Sequence, residues 1–440
     1  MEASTRFDMD GDRSVNSQAP DSRVPGRRWR GPFIALWTSQ ALSLIGSRIV
    51  QFAMVWWLTR ETGSATVLAM ATIAALLPEI LAGPLAGVYV DRWDRRRVML
   101  IADAMVGLLS LGLAATFHLG LARIWHIYLV MALRAVGGSF HWPAMQASTS
   151  LMVPNEELSR VSGMNQALNG ALGIATPLLG ALLMEWLPMA GVMMVDVITA
   201  AMAITILFFL RVPRPDQPES QAGDMTLIED LRVGLRYLGS WPGMMILIAV
   251  VLLIKLALTP AFSLIPLLVR VHFEGGVVEL GWIESVAGVG FVVGGLGLSV
   301  WGGFRRRIYT TLAGLVVLGL GLIALSVTPG GMFSLGMIWV FIIGVSIPLV
   351  DGPITAILQA TVEPGLQGRV FTMISSLVGL SSPLGLAVAG PVSDWLGVTA
   401  WFAIAGILSV VCALVTFSVP AVIGIEDGRM PQHVGPVSAD

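Results

Sequence analysis

Apolar residues fill this chain in long blocks separated by short polar seams. A helix needs about 20 apolar residues to cross the hydrocarbon core of a bilayer. Twelve such blocks can be marked, at 33–58, 65–89, 98–117, 124–146, 162–184, 190–210, 242–268, 279–300, 308–328, 333–357, 370–391 and 398–420. The seams, such as TRETGSA at 59–65 and TPGGMF at 328–333, hold the Gly, Pro and polar residues that suit turns at a membrane surface. The pattern predicts an all-α integral membrane protein with twelve transmembrane helices.

The longest seam divides the spans into six and six. Its first part, RVPRPDQPESQAGD at 211–224, is Pro-rich and polar and reads as a flexible linker. Its second part, TLIEDLRVGLRYL at 226–238, reads as an amphipathic helix with a capping box at Thr226 and Glu229, suited to lie in the membrane interface. The expected units are a disordered tail at 1–31, a six-helix bundle at 32–210, the linker at 211–241, a second bundle at 242–421 and a tail at 422–440. The first tail lacks the apolar core of a cleavable signal, so none is expected. The halves echo each other at an offset of about 209 residues. ELSRVSGM at 157–164 matches LQGRVFTM at 366–373, and MEWL at 184–187 matches SDWL at 393–396. The Arg triplets at 95–97 and 305–307 stand in nearly the same register, so the chain reads as a duplication. Parallel six-helix repeats are one design of transporter, with substrate held between them near the midplane.

Composition agrees with a membrane protein. Of 440 residues 55% are hydrophobic and 12% charged, against about 25% charged in soluble domains. The placement of charge sets the topology. Of 26 Lys and Arg, 20 fall on one side when the seams are sorted, three on the other and three within spans. The positive-inside rule then puts both termini and the 91–97 loop in the cytoplasm. The one cysteine, Cys412, rules out an intrachain disulfide. Neither an HExxH helix nor a GxxxxGK[ST] loop is present, so a zinc protease and an ATP-driven pump are unsupported. The glycine-rich GVGFVVGGLG at 288–297 lies within a span and reads as a packing surface.

Ionisable residues in hydrocarbon are costly and mark candidate sites. Gln40, Ser43, Ser47 and Gln51 form one stripe along span one, with Arg48 at its flank. Span four carries Arg134 and His141, span seven Lys255 and span ten Asp351. Lys255 and Asp351 form a pair with or without a transport role. The acids within spans are Glu79, Asp103, Asp196, Glu284 and Asp351. Glu79, mid-span beside Pro78, is the first candidate for accepting a proton. Asp103 is expected to brace the nearby arginine loop, and Asp196 and Glu284 to be wetted near the outer ends. His141 either titrates or is a hydrogen-bonded structural residue.

The stretch GPLAGVYVDRWDRRRV at 83–98 resembles the signature loop of the major facilitator superfamily. Gly87, Asp91, Arg92, Arg95, Arg96 and Arg97 occupy its matching positions. The stretches at 43–69, 134–148, 154–167 and 364–373 resemble the drug-efflux branch that includes macrolide exporters. The resemblance implies two pseudo-symmetric six-helix bundles whose spans one, four, seven and ten line a central cavity. It implies proton coupling near Arg134, and a loop that latches the outward-facing state. In that latch Gly87 would let helix two approach helix eleven, and Asp91 would meet the end of helix eleven near Arg369. For Arg96 and Arg97 a role in topology alone stands equal to the latch. The second copy of the loop, at 295–307, has Trp301 where the acid would fall. In span five, Gly173, Pro177 and Gly180 resemble part of an exporter motif.

The expected function is that of a monomeric secondary exporter in a bacterial cell (inner) membrane, not an enzyme. It would move an amphipathic or drug-like molecule out by proton antiport and alternating access. It would need no cofactor beyond the proton gradient and no nucleic acid. Anionic lipid is expected at the inner arginine clusters. Arg48, Arg134 and Lys255 leave open an anionic metabolite or siderophore as cargo. A non-transporting sensor or enzyme is the third class.

Overall fold

Short caps and turns punctuate the apolar runs where the seams fall. The computed structural model describes residues 29–210, 241–362 and 367–426, and all of its regular structure is helical. Six helices build the first half: α1 (Arg30–Thr62), α2 (Ala65–Arg92), α3 (Arg95–His118), α4 (Ile124–Met152), α5 (Leu158–Trp186) and α6 (Met189–Phe209). Six more build the second: α7 (Pro242–Ser263), α8 (Val277–Trp301), α9 (Arg307–Val327), α10 (Phe333–Thr361), α11 (Gln367–Leu396) and α12 (Val398–Phe417). The expected amphipathic linker helix and both tail ends lie outside the described residues.

The helix ends follow from local chemistry. Gly63, at φ 58°, closes α1 in the left-handed conformation. Ser64 then caps α2 by accepting from the Val67 amide. Asp94 caps α3 by accepting from the Arg97 amide. The seventh span is shorter than its apolar run. It stops at Ser263, and a single turn at Ile265–Leu267 and a π turn at Leu268–His272 follow. Pro266 has no amide hydrogen to continue the ladder. Eleven of the twelve long helices are apolar enough to span a bilayer. The exception, α4, carries Arg134 and two histidines, His126 and His141, along with a serine-rich end.

The halves have matching internal packing. In the first, α2 and α3 pack on α4, and α3 packs on α6; in the second, α8 and α9 pack on α10, and α9 packs on α12. The halves meet along two symmetry-related pairs, α2 with α11 and α8 with α5. Arg95 donates to the Ala147 carbonyl at 3.2 Å, and Arg96 donates to the carbonyls of Leu207, at 2.9 Å, and Phe208. In the second half Arg307 reaches the Ala356 carbonyl and Arg306 that of Ile423. Each arginine cluster therefore closes the ends of its own bundle. Arg97 is exposed beside them.

Glycine sets the separations between helices. A Cβ on Gly294 would lie 2.2 Å from the Val345 carbonyl oxygen, and one on Gly290 2.4 Å from that of Phe341. The glycine-rich run of α8 is thus the surface on which α10 lies, whereas Gly295 and Gly297 face open space. The close approach expected of Gly87 belongs to the outward-facing state; in this arrangement a Cβ on Gly87 would have no neighbour within 4 Å. The close approach of α2 to α11 falls instead at Gly390, whose Cβ would lie 2.8 Å from Thr66 Cα. The reason is that the halves touch at the end remote from the arginine loops, and Gly87 lies near the other end. The side chains of Asp91, Arg92 and Arg369 lie outside the described set, and so does the latch between them.

Gly294→Leu is expected to lose most folded protein, since overpacking a helix contact costs about 1–3 kcal/mol or more. Gly295→Leu is expected to be neutral. Fluorescence-detected size exclusion of both variants after a heating series checks this.

Candidate functional site

Three polar clusters are built from side chains of the first half. At its centre Arg134 on α4 forms an ion pair with Asp196 on α6, and the acid is fully buried. Ser47 on α1 donates to Asp196 at 2.9 Å, and Ser110 on α3 donates to the same carboxylate at 2.6 Å. The guanidinium also reaches the Ser47 carbonyl at 3.3 Å. Four helices are thus joined by one carboxylate. Gly46 makes this possible, because α6 presses onto α1 where a Cβ would fall 3.2 Å from Asp196 Cα.

Nearer the arginine loop, Gln40 donates to Asp103 at 3.1 Å and meets His141 Nε2 at 2.8 Å through its carbonyl oxygen. The His141 ring also lies 3.4 Å from Asp103. Asp103 therefore holds α1 and α4 and does not brace the arginine loop, which finds helix-end carbonyls instead. His141 is thus hydrogen-bonded to Gln40 and faces Asp103. In the third cluster Arg48 donates to Asn169 on α5 at 2.8 Å.

These clusters wall a cavity of about 350 Å³. Gln40, Ser43, Ser47, Arg48 and Gln51 line it from α1, Arg134 and His141 from α4, and Glu79 from α2. Glu79 is exposed there and has no ion pair or hydrogen bond among the described residues. Lys255 and Asp351 lie elsewhere. They pair at 3.0 and 3.1 Å beside a smaller cavity of about 100 Å³ within the second half. Both remain partly exposed, at 32% and 47%. Lys255 and Asp351 thus line a different cavity from Arg48, Arg134 and His141. Sequence reasoning missed Asp196, expected to be wetted but walled in by four helices. It also missed Glu284, which lines a cavity of about 320 Å³ between the halves together with Arg48, Gln51 and Thr176.

The halves are tied at the end remote from the arginine loops. Asp394 on α11 accepts from the amides of Ala65 and Thr66, at 2.6 and 3.0 Å, and from the Ser64 hydroxyl at 3.0 Å. It thereby caps α2 across the pseudo-symmetry boundary. Ser285 on α8 donates to the Ile174 carbonyl on α5 at 2.7 Å. A Cβ on Gly281 would lie 3.0 Å from the Pro177 carbonyl oxygen.

The family model of the Major Facilitator Superfamily matches residues 36–386. The chain belongs to this superfamily. As a member of the Major Facilitator Superfamily it is a transporter built of membrane-spanning helices, not an enzyme. It is 32% identical over 388 residues to macrolide efflux protein A of Streptococcus pyogenes, covering 88% of this chain and 95% of that one. It is 27% identical to the multidrug efflux pump Tap of Mycobacterium tuberculosis over 89% of this chain and 94% of Tap. Among solved structures, a bacterial homologue of the human lysosomal transporter Spinster superposes with a TM-score of 0.67 at 14% identity, covering 93% of this chain and 99% of that one. A mutant of the nucleoside transporter NupG gives 0.66 at 14% identity, with 89% and 99% covered. At such identities these two likenesses speak to the superfamily fold alone.

Asp196→Ala is expected to lower stability by about 3–5 kcal/mol, because it strands a buried guanidinium. Adding Arg134→Met is expected to recover part of that loss, and thermal unfolding of detergent-purified protein reads both values. Asp394→Ala is expected to loosen the far-end contact by about 1 kcal/mol, the typical worth of a helix cap. Spin labels at Glu61 and Trp395 are expected to report a broader, longer distance distribution in that variant.

Proposed function

We propose that the chain exports a macrolide-like or other amphipathic small molecule from the bacterial cytoplasm, by proton antiport and alternating access. The observation that carries this reading is the polar cavity in the first half, with Arg134 in its wall and Asp196 buried behind it. Charges at such depth are costly and are kept where solute or ions pass. The names of the macrolide and multidrug efflux relatives support export as the direction.

In this reading Glu79 takes the proton. It faces the cavity without a partner among the described residues, whereas Asp196 is committed to Arg134, Ser47 and Ser110. Protonation removes a negative charge from the cavity wall and biases the balance between facing states. The halves rock about the α2–α11 and α5–α8 contacts. Opening the far end requires Asp394 to release the start of α2. The loop of Gly87, Asp91 and Arg92, with Arg369, would serve the opposite closure. Both termini are assigned to the cytoplasm by the distribution of basic residues. Arg97, exposed where Arg95 and Arg96 are engaged, is the residue left to meet anionic lipid. The protein acts as a monomer, with the proton gradient as its energy source and no cofactor.

Arg48 favours a second reading. It lines two cavities without a carboxylate partner among the described residues and would suit an anionic metabolite. Proteoliposomes with an imposed pH gradient separate the two. Gradient-driven movement of erythromycin, abolished in Glu79→Gln, is the expected result. Movement of organic anions alone would replace the first reading with the second. An absence of both solute and proton flux would overturn transport of either kind.

A further inference from the structure

Glu284 lies on α8 in the wall of the cavity of about 320 Å³ between the halves. No hydrogen bond or ion pair to its carboxylate occurs among the described residues. Across the same cavity stands Thr176 of α5, which is only 4% exposed. Its hydroxyl is buried and has no hydrogen-bond partner among the described residues. Buried polar groups are nearly always paired, so an orphan calls for an explanation. Here a buried orphan hydroxyl on one half and a partly exposed carboxylate without a partner among the described residues on the other line one cavity. The remaining wall is largely apolar, with Phe52, Val55, Leu172 and Leu280. Arg48 is the cation that faces the cavity, and its guanidinium is held by Asn169, with no ion pair to Glu284 within 4 Å.

We propose that Glu284 and Thr176 form a recognition subsite for the ammonium group of an amphipathic monocation, its apolar body lying against Phe52 and Leu280. The carboxylate supplies the counter-charge that an organic cation needs on leaving water. The threonine oxygen accepts from the ammonium N–H. Arg48 is held by Asn169 on α5 and makes no ion pair with Glu284, which leaves that carboxylate free to meet a ligand cation. Because α5 and α8 belong to different halves, the subsite is complete only when those halves are together at this seam. The inference deepens the export reading by naming the chemistry of its cargo, and it can be tested without transport.

The test is equilibrium binding to purified full-length protein in detergent, with two probes. Tetraphenylphosphonium carries a fixed charge and no N–H; erythromycin carries a tertiary ammonium. Glu284→Gln is expected to weaken both by about tenfold or more, the loss of one charge-assisted contact. Glu284→Asp keeps the charge and is expected to bind both within about threefold of the parent, which also reports on folding. Thr176→Val is expected to weaken erythromycin alone. The proposal is overturned if Glu284→Gln binds both probes as the parent does, if the parent binds neither, or if Glu284→Asp loses as much as Glu284→Gln. Binding that follows this pattern without gradient-driven flux in proteoliposomes would sink the export reading and leave the subsite standing. Flux with unchanged binding in Glu284→Gln would do the reverse.

Discussion

A guanidinium deep in a helical bundle has to meet a carboxylate, and in this protein the meeting of Arg134 with Asp196 organises the first half. The acid draws in hydroxyls from α1 and α3 as well, so one buried group fixes four of six helices around a point. The pair is a weak source of net stability, since desolvation offsets most of the attraction. Its effect is on register. With the carboxylate placed, α1 can turn only one face toward the cavity, and that face carries Gln40, Ser43, Arg48 and Gln51. Among its described residues the second half has no equivalent anchor. Its Lys255–Asp351 pair lies beside a small cavity and stays partly open, and glycine contacts between α8 and α10 set the helix spacing instead.

The architecture was legible in the sequence because its causes are local. Block length, polar seams and the sorting of arginines each follow from the bilayer acting residue by residue. The duplication could be read as well, since two arginines of each triplet close helix ends of their own half, Arg95 and Arg96 in the first and Arg306 and Arg307 in the second. The site was legible only in part. The α1 stripe came from helical periodicity, and all its members line one cavity. Asp196 was misjudged because distance along α6 from the nearest seam says nothing about rotation around its axis. Gly46, adjacent to Ser47, was the available signal: a small residue on the cavity-lining helix marks where another helix comes close. For Gly87 the family position implies close approach when the arginine-loop ends of the halves are joined; here the opposite ends are joined, and composition does not encode which end that is.

Two kinds of contact share the seam between the halves. Along α5 and α8 the backbones lie nearly bare against each other, through Gly281, Gly288 and the Ser285 hydrogen bond. At the far end of α2 and α11 the join is polar and directional, three donors converging on Asp394. The first kind is chiefly close backbone packing, and the second is a cap made by one carboxylate. The cavity holding Glu284 and Thr176 lies beside the first kind.

The duplicated ends are therefore unequal, although their sequences correspond. Glu185 occupies the place in the first half that Asp394 holds in the second, yet it is exposed and no hydrogen bond joins it to the other half among the described residues. In the proposed export cycle, a molecule clasped by Asp394 along one margin and packed backbone to backbone along the other would swing as a door does, with its hinge on the clasped margin. Parting of the far face would begin beside α5 and α8 and reach Asp394 last, giving a nominally twofold machine a handed stroke.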